Sequence, residues 1–150
     1  MPRGETDIFF MEAALREAQK AARKDEVPVG AIWVFDGAIT ARGHNLRETK
    51  QSPLSHAEIE VIGKGSKKKR NFRLGGTLYV TLEPCPMCMG AIIQARIDRL
   101  VFGCRDLKAG ACGSVLDLNQ YPFNHRVTVE SGVLETECRD LLQNFFKKLR

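Results

Sequence analysis

The 150 residues carry 43% hydrophobic side chains, five cysteines and a formal net charge of +5. That length supports one compact domain with a core of its own, expected to span residues 1–150, and no apolar run approaches the roughly twenty residues of a membrane helix. The opening Met1–Asp7 stretch lacks the apolar segment of a signal peptide, so a cytoplasmic location is expected, and the basic balance favours an anionic partner such as nucleic acid.

Ile8, Met11, Leu15, Ala18 and Ala22 recur at spacings of three and four, which predicts an amphipathic helix over 8–24. V-G-A-I-W-V-F at 29–35 has no polar alternation and reads as a strand buried on both faces. Asp36-Gly37 signals a tight hairpin into a second strand from Ile39 to about His44. A loop through Ser52-Pro53 leads to a helix starting near His56. Gly63 and Gly65 each weaken that helix by about 1 kcal/mol relative to alanine, so it is expected to be short. T-L-Y-V-T-L at 77–82 is a third strand. Pro86 suits the first turn of a helix that runs to about Ile97. R-L-V-F-G at 99–103 and R-V-T-V-E at 126–130 are the fourth and fifth strands. The last helix is expected to align Leu134, Cys138, Leu141, Phe145 and Leu149 on one face. A hairpin followed by strand–helix–strand units implies one α/β sheet with helices on both faces.

The cysteine count is odd, and Cys85 and Cys88 form a CxxC pair. In a cytosolic chain this suggests a metal or redox centre, not a disulfide framework. Thiolates and a neutral imidazole are good zinc ligands. A turn opening a helix brings both sulfurs to one side, and the N–H groups at that helix end lower the thiol pKa. His56 also stands near a helix start. Three protein donors leave a fourth zinc position open, as catalytic sites do, whereas structural sites are closed by four. The remaining cysteines Cys104, Cys112 and Cys138, and the histidines His44 and His125, read as core or loop residues. A thioredoxin-like redox pair is the rival for the CxxC motif, but it gives His56 and Glu58 no role. Glu58 stands two residues beyond His56, where a carboxylate beside activated water can take and return a proton.

H-A-E at 56–58 with P-C-P-M-C at 84–88 resembles the known signature of the zinc-dependent nucleobase deaminases. The likeness continues through E-V-P-V-G-A at 26–31, G-H-N at 43–45, L-Y-V-T-L-E-P-C at 78–85, V-F-G-C-R-D at 101–106, N-H-R-V at 124–127 and N-F-F at 144–146. From about residue 8 onward the chain is similar to the bacterial tRNA-specific adenosine deaminases of the cytidine/deoxycytidylate deaminase superfamily. The resemblance implies a three-layer α/β/α cytidine-deaminase-like fold with a central mixed five-stranded sheet. It implies one zinc ion per subunit on His56, Cys85 and Cys88, with Glu58 as proton shuttle. It further implies that Asn45 hydrogen-bonds the purine, Val29 packs on its face, and the Ala57 N–H reads the base edge. Asp106 would contact a neighbouring ribose, while Phe145 and the final basic turn to Arg150 would meet the anticodon loop. The implied partners are a tRNA anticodon stem-loop and a second copy of the chain.

The implied reaction is hydrolytic deamination of adenosine to inosine at the wobble position of an arginine tRNA, by attack of zinc-activated hydroxide on C6. The target base must be turned out into the pocket, which costs least in an unpaired loop. Free-base guanine deaminases share H-A-E and P-C-x-x-C, but N-H-R-V and the Phe-Phe-basic terminus speak against them. Cytidine and deoxycytidylate deaminases share the zinc logic and fit the rest less well. A structural zinc module that binds RNA without catalysis leaves Glu58 unused. Cys104 stands where the family commonly has alanine. The Lys67, Lys68, Lys69 and Arg70 cluster reads either as a phosphate contact or as a solvated loop.

Overall fold

Strand and helix periods become layers in the computed structural model, which describes residues 3–149. Helix α1 covers Arg3–Arg23, and strands β1 (Gly30–Phe35) and β2 (Ala38–His44) form the expected hairpin. Its two central residues, Asp36 and Gly37, have φ of 54° and 77°, the left-handed pair that a two-residue primed turn requires. A short α2 (Arg47–Lys50) lies within the expected loop. Next come α3 (Ala57–Lys69), β3 (Thr77–Leu82), α4 (Pro86–Gln94) and β4 (Arg99–Cys104). A single 3-10 turn (Leu118–Gln120), β5 (Thr128–Ser131) and α5 (Glu135–Lys148) complete the order.

The strands pair as β2-β1-β3-β4-β5. The β2–β1 and β1–β3 pairs are antiparallel, and the β3–β4 and β4–β5 pairs are parallel. This is the expected mixed sheet, and its continuous apolar strands now have a reason. Ala31, Trp33, Leu78, Val80, Leu100 and Phe102 pack on one face with α3 and α4. Ile32, Val34, Tyr79 and Val101 pack on the other with α1 and α5. Both side-chain sets of each central strand are buried, so no polar alternation is needed. Among the described residues no helix is long and apolar enough to cross a membrane.

Several element ends and one helix face differ from the sequence-based expectation; α1, for one, begins at Arg3 and not at residue 8. Helix α3 does not stop at the glycines; it continues through both to Lys69. Gly65 is where the helix backbone meets the sheet: a Cβ there would lie 2.9 Å from Trp33 Cε3 and 3.3 Å from Leu74 Cδ1. Close packing against the indole outweighs the weak intrinsic propensity, as tertiary context commonly does. Helix α4 ends at Gln94, not near Ile97, because the Ala95 carbonyl accepts the Leu74 N–H at 2.7 Å and Arg96 turns left-handed at φ 56°. Strand β5 starts at Thr128, since the Asn119 side chain takes both the N–H and the carbonyl of Val127. On α5 the expected inward stripe holds at Leu134 and Cys138 and passes to Leu142 beyond them. Cys138 is buried, Leu142 packs against the core, and Leu149 is exposed.

Of the basic cluster ending α3, Lys68 and Lys69 are engaged with the protein, whereas Lys67 and Arg70 are exposed. Lys64 and Lys68 donate to the Arg42 and Thr40 carbonyls of the edge strand β2, at 2.7 and 2.6 Å. Lys69 donates to the Leu74 carbonyl and lies 4.5 Å over the Phe35 ring. Lysines placed along a sheet edge discourage pairing with another strand. Across the molecule, Arg99 ties Asp7 of α1 to Glu130 of β5, and the Tyr79 hydroxyl donates to Asp7 at 2.7 Å.

Candidate functional site

The His56 and Cys85–Cys88 motifs stand at the starts of two helices. His56 is the N-cap of α3, and Cys85 is the N-cap of α4 with Pro86 at its first turn. Cys88 follows one turn later and is buried. Each helix start leaves its first N–H groups without intrahelical partners, and both converge on one point. His56 Nδ1 lies 3.6 Å from Cys85 Sγ and 3.5 Å from Cys88 Sγ. All three donor atoms lie within 4.8 Å of one another. Sulfur and nitrogen ligands at ordinary zinc distances and tetrahedral angles stand roughly 3.6 Å apart. The spacing and the soft N/S/S donor set both fit zinc, so these residues could hold one such ion.

The electrostatics prepare one of the three donors, Cys85, as a thiolate. The Cys88 thiol and the His56 imidazole, with the Cys88 N–H, pull the Cys85 thiol down to about 4 against the opposing effect of burial. Cys88 moves upward, because it would ionise beside the Cys85 thiolate and in a buried setting. The pairing with Cys85 raises His56. Glu58, in the first turn of α3, is only 3% exposed. Its burial pushes the carboxyl up to about 7.

His56, Glu58 and Cys85 line a cavity of about 570 Å³. It opens where β3 and β4 end, the edge at which parallel sheets commonly take ligands. Glu83 and Cys85 follow β3, while Arg105 and Asp106 follow β4; Asn45 joins them from the end of β2. A buried carboxyl next to a three-donor metal site, inside a cavity large enough for a nucleoside, can carry out proton-coupled hydrolysis.

Comparison with known proteins agrees with that chemistry. A family model described as MafB19-like deaminase matches residues 5–150. The tRNA-specific adenosine deaminase of Bacillus subtilis (strain 168) is 51% identical over 146 residues, covering 96% of this chain and 91% of the relative. The chain belongs to the tRNA-specific adenosine deaminase family. A solved structure from a study of A-to-I editing by tRNA:A34 deaminases superposes with a TM-score of 0.87 at 44% identity, covering 89% of this chain and 99% of that one. A guanine deaminase from Nitrosomonas europaea shares the fold, with a TM-score of 0.78 at 24% identity, covering 92% of this chain and 83% of that one.

In this family member the cavity gathers most of the residues singled out from the sequence. Val29, Asn45, His56, Ala57, Glu58, Cys85 and Asp106 all line it, and the buried Cys88 is outside the lining with its Sγ 3.5 Å from His56 Nδ1. The Asn45 amide is held in place, donating to the Val27 carbonyl at 3.2 Å and accepting the Arg47 N–H at 3.1 Å. Asp106 Oδ1 accepts the N–H groups of Lys108 and Ala109. Phe145 is half-buried and outside the cavity lining; its neighbour Phe146 lines the cavity, with the two rings edge to face at 5.5 Å. Of the final basic turn, Arg150 lies outside the described residues.

Sequence reasoning missed two further groups. Arg47 of α2, Arg105 and Lys108 of the loop after β4, and Arg139 of α5 line the cavity, a cationic wall suited to phosphates. Arg105 and Lys108 had a usable signal, since they follow the carboxyl end of a parallel strand. The second group is a pair of buried carboxylates. Glu26 accepts the N–H groups of Glu48 and Thr49 and the Thr49 hydroxyl, which anchors α2 beside Asn45. Burial alone would raise its pKa, but the Thr49 hydroxyl and those N–H groups hold it below its ordinary value. Glu83 does the same for the 106–114 loop; burial is outweighed by the Ser114 hydroxyl and by N–H groups of Asp106, Cys112 and Ser114.

Proposed function

We propose that this chain is a zinc-dependent tRNA adenosine deaminase that hydrolyses adenosine to inosine at the wobble position of an arginine tRNA. The observation that carries the reading is the buried Glu58 carboxyl beside the His56, Cys85 and Cys88 donors at a nucleoside-sized cavity. The names of the tRNA-specific relatives support the choice of substrate.

His56 Nδ1 and the sulfurs of Cys85 and Cys88 would hold the ion. When bound, zinc supplies the Lewis acidity that makes water a nucleophile near neutral pH. Glu58 does the proton work: it takes a proton from the attacking water and gives it to adenine N1 as the C6–O bond forms, then moves the second proton of that water to the amino nitrogen as the C6–N bond breaks. Water is consumed and ammonia leaves. Asn45, already fixed by two hydrogen bonds to the main chain, presents its remaining donor and acceptor capacity to the purine. Val29 supports the base face, and the Ala57 N–H reads its edge. The cationic wall and Asp106 meet the neighbouring nucleotides, with Phe145 and the basic end of α5 touching the anticodon loop outside the cavity. The enzyme acts in the cytoplasm as a homodimer.

The deciding experiment compares turnover of an anticodon stem-loop carrying a wobble adenosine with turnover of free adenosine and free guanine. The stem-loop is expected to exceed both by orders of magnitude. Comparable turnover of free guanine would overturn the assignment in favour of a free-base deaminase.

A further inference from the structure

We infer that Glu83 is a positioning residue whose buried carboxylate clamps the 106–114 loop into the cavity wall, and so sets how tightly the cavity holds its substrate. The link to a substrate rests on the function proposed above; the clamp itself rests on geometry. Glu83 Oε1 accepts the Asp106 N–H at 3.1 Å and the Ser114 hydroxyl at 2.5 Å. Its Oε2 accepts the Cys112 N–H at 2.9 Å and the Ser114 N–H at 3.1 Å. The side chain is 2% exposed. The adjoining main chain reinforces it: the Ala111 N–H donates to the Pro84 carbonyl at 2.8 Å, and the Glu83 N–H to the Cys104 carbonyl at 2.9 Å. Gly110 lets the loop close on this group, since a Cβ there would collide with the Glu83 carboxylate.

A carboxylate has about four lone-pair sites, and four donors occupy them here. No capacity remains for a proton-transfer role, so Glu83 acts through the loop. That loop carries Asp106, Lys108 and Ala109, which line the cavity. A glutamine would point an N–H₂ group at donors, leaving buried polar groups unpaired. Contacts from the cavity wall are made equally before and during the reaction. Loosening them therefore raises KM and leaves kcat nearly unchanged.

The test uses the zinc-loaded full chain, with Glu83→Gln as the strong variant and Ser114→Ala as the mild one. For Glu83→Gln, amide exchange should speed up about tenfold or more at Asp106, or at Cys112 and Ser114, whichever set faces the new N–H₂ group, because the amide keeps only one of the two acceptor oxygens. KM for the stem-loop should rise about tenfold, with kcat within about threefold of the parent. Ser114→Ala should shift the same amides and KM in the same direction by a smaller factor. Should Glu83→Gln fail to fold, Ser114→Ala decides alone. Unchanged exchange at those amides, or a fall in kcat with KM constant, overturns the clamp. If the parent protein does not act on the stem-loop, the proposed function fails, and the exchange rates still judge the clamp.

Discussion

Gly63 and Gly65 offer the same substitution two residues apart on one helix, with opposite expected signs. Gly63 is exposed, and a Cβ there meets nothing within 4 Å. Gly63→Ala should therefore show the plain helix-propensity gain of about 0.5–1 kcal/mol. Gly65→Ala has the same intrinsic gain, but its Cβ would press on Trp33 Cε3 at 2.9 Å. Trp33 is 1% exposed and its Nε1 donates to the Gly75 carbonyl at 2.9 Å, so the indole has little room to yield. Overpacking of a filled core costs roughly 1–3 kcal/mol. The net change at Gly65 is then a loss of about 0–2 kcal/mol, and the two variants should differ by about 2 kcal/mol. For a chain of 150 residues this separates their Tm values by roughly 4–8 °C, with Gly63→Ala above the parent. Thermal unfolding of both variants, at matched zinc loading, reads the difference. Equal upward shifts would refute the claim that the indole contact is what Gly65 serves.

The other expectations concern the site and its supports. Glu58→Ala should retain one zinc per chain and the parent far-UV spectrum while deamination of the stem-loop falls by at least about a hundredfold; an active variant would remove the proton role. Cys85→Ala and His56→Ala should each lose the ion, read as metal content after dialysis, whereas Cys104→Ala should keep it. Full metal retention by Cys85→Ala would place the ion elsewhere. Glu26 titrates below its ordinary value of 4.5 in the folded chain. Its contribution to stability is therefore present above about pH 4.5 and is lost as the pH falls through the lower folded value. Glu26→Gln should flatten that part of the stability curve, measured by urea unfolding across the acid range, and an unchanged slope would contradict the assigned bonds.

The His56, Cys85 and Cys88 cluster was legible because much of its geometry is local. Cys85 and Cys88 are one helical turn apart, and Pro86 marks the helix start that directs both sulfurs to one side. Two-sided burial of β1 and β3 was also readable, as their apolar runs have no polar breaks. The buried roles of Glu26 and Glu83 had no such local signal. A glutamate reads as solvent-facing until the fold brings to it the N–H groups of segments 22 and 31 residues away, as with Glu48 and Ser114. The reach of α3 past two glycines depended on Trp33, about thirty residues upstream. The choice between Phe145 and Phe146 depended on how α5 docks, because a shift of one residue turns a helix face by about 100°. Composition and spacing thus determined the strands, most of the helices and which residues cluster as His56, Cys85 and Cys88. Tertiary packing decided which carboxylates became anchors, which cations came together around the cavity, and where the helices ended, because those outcomes require partners distant in the chain.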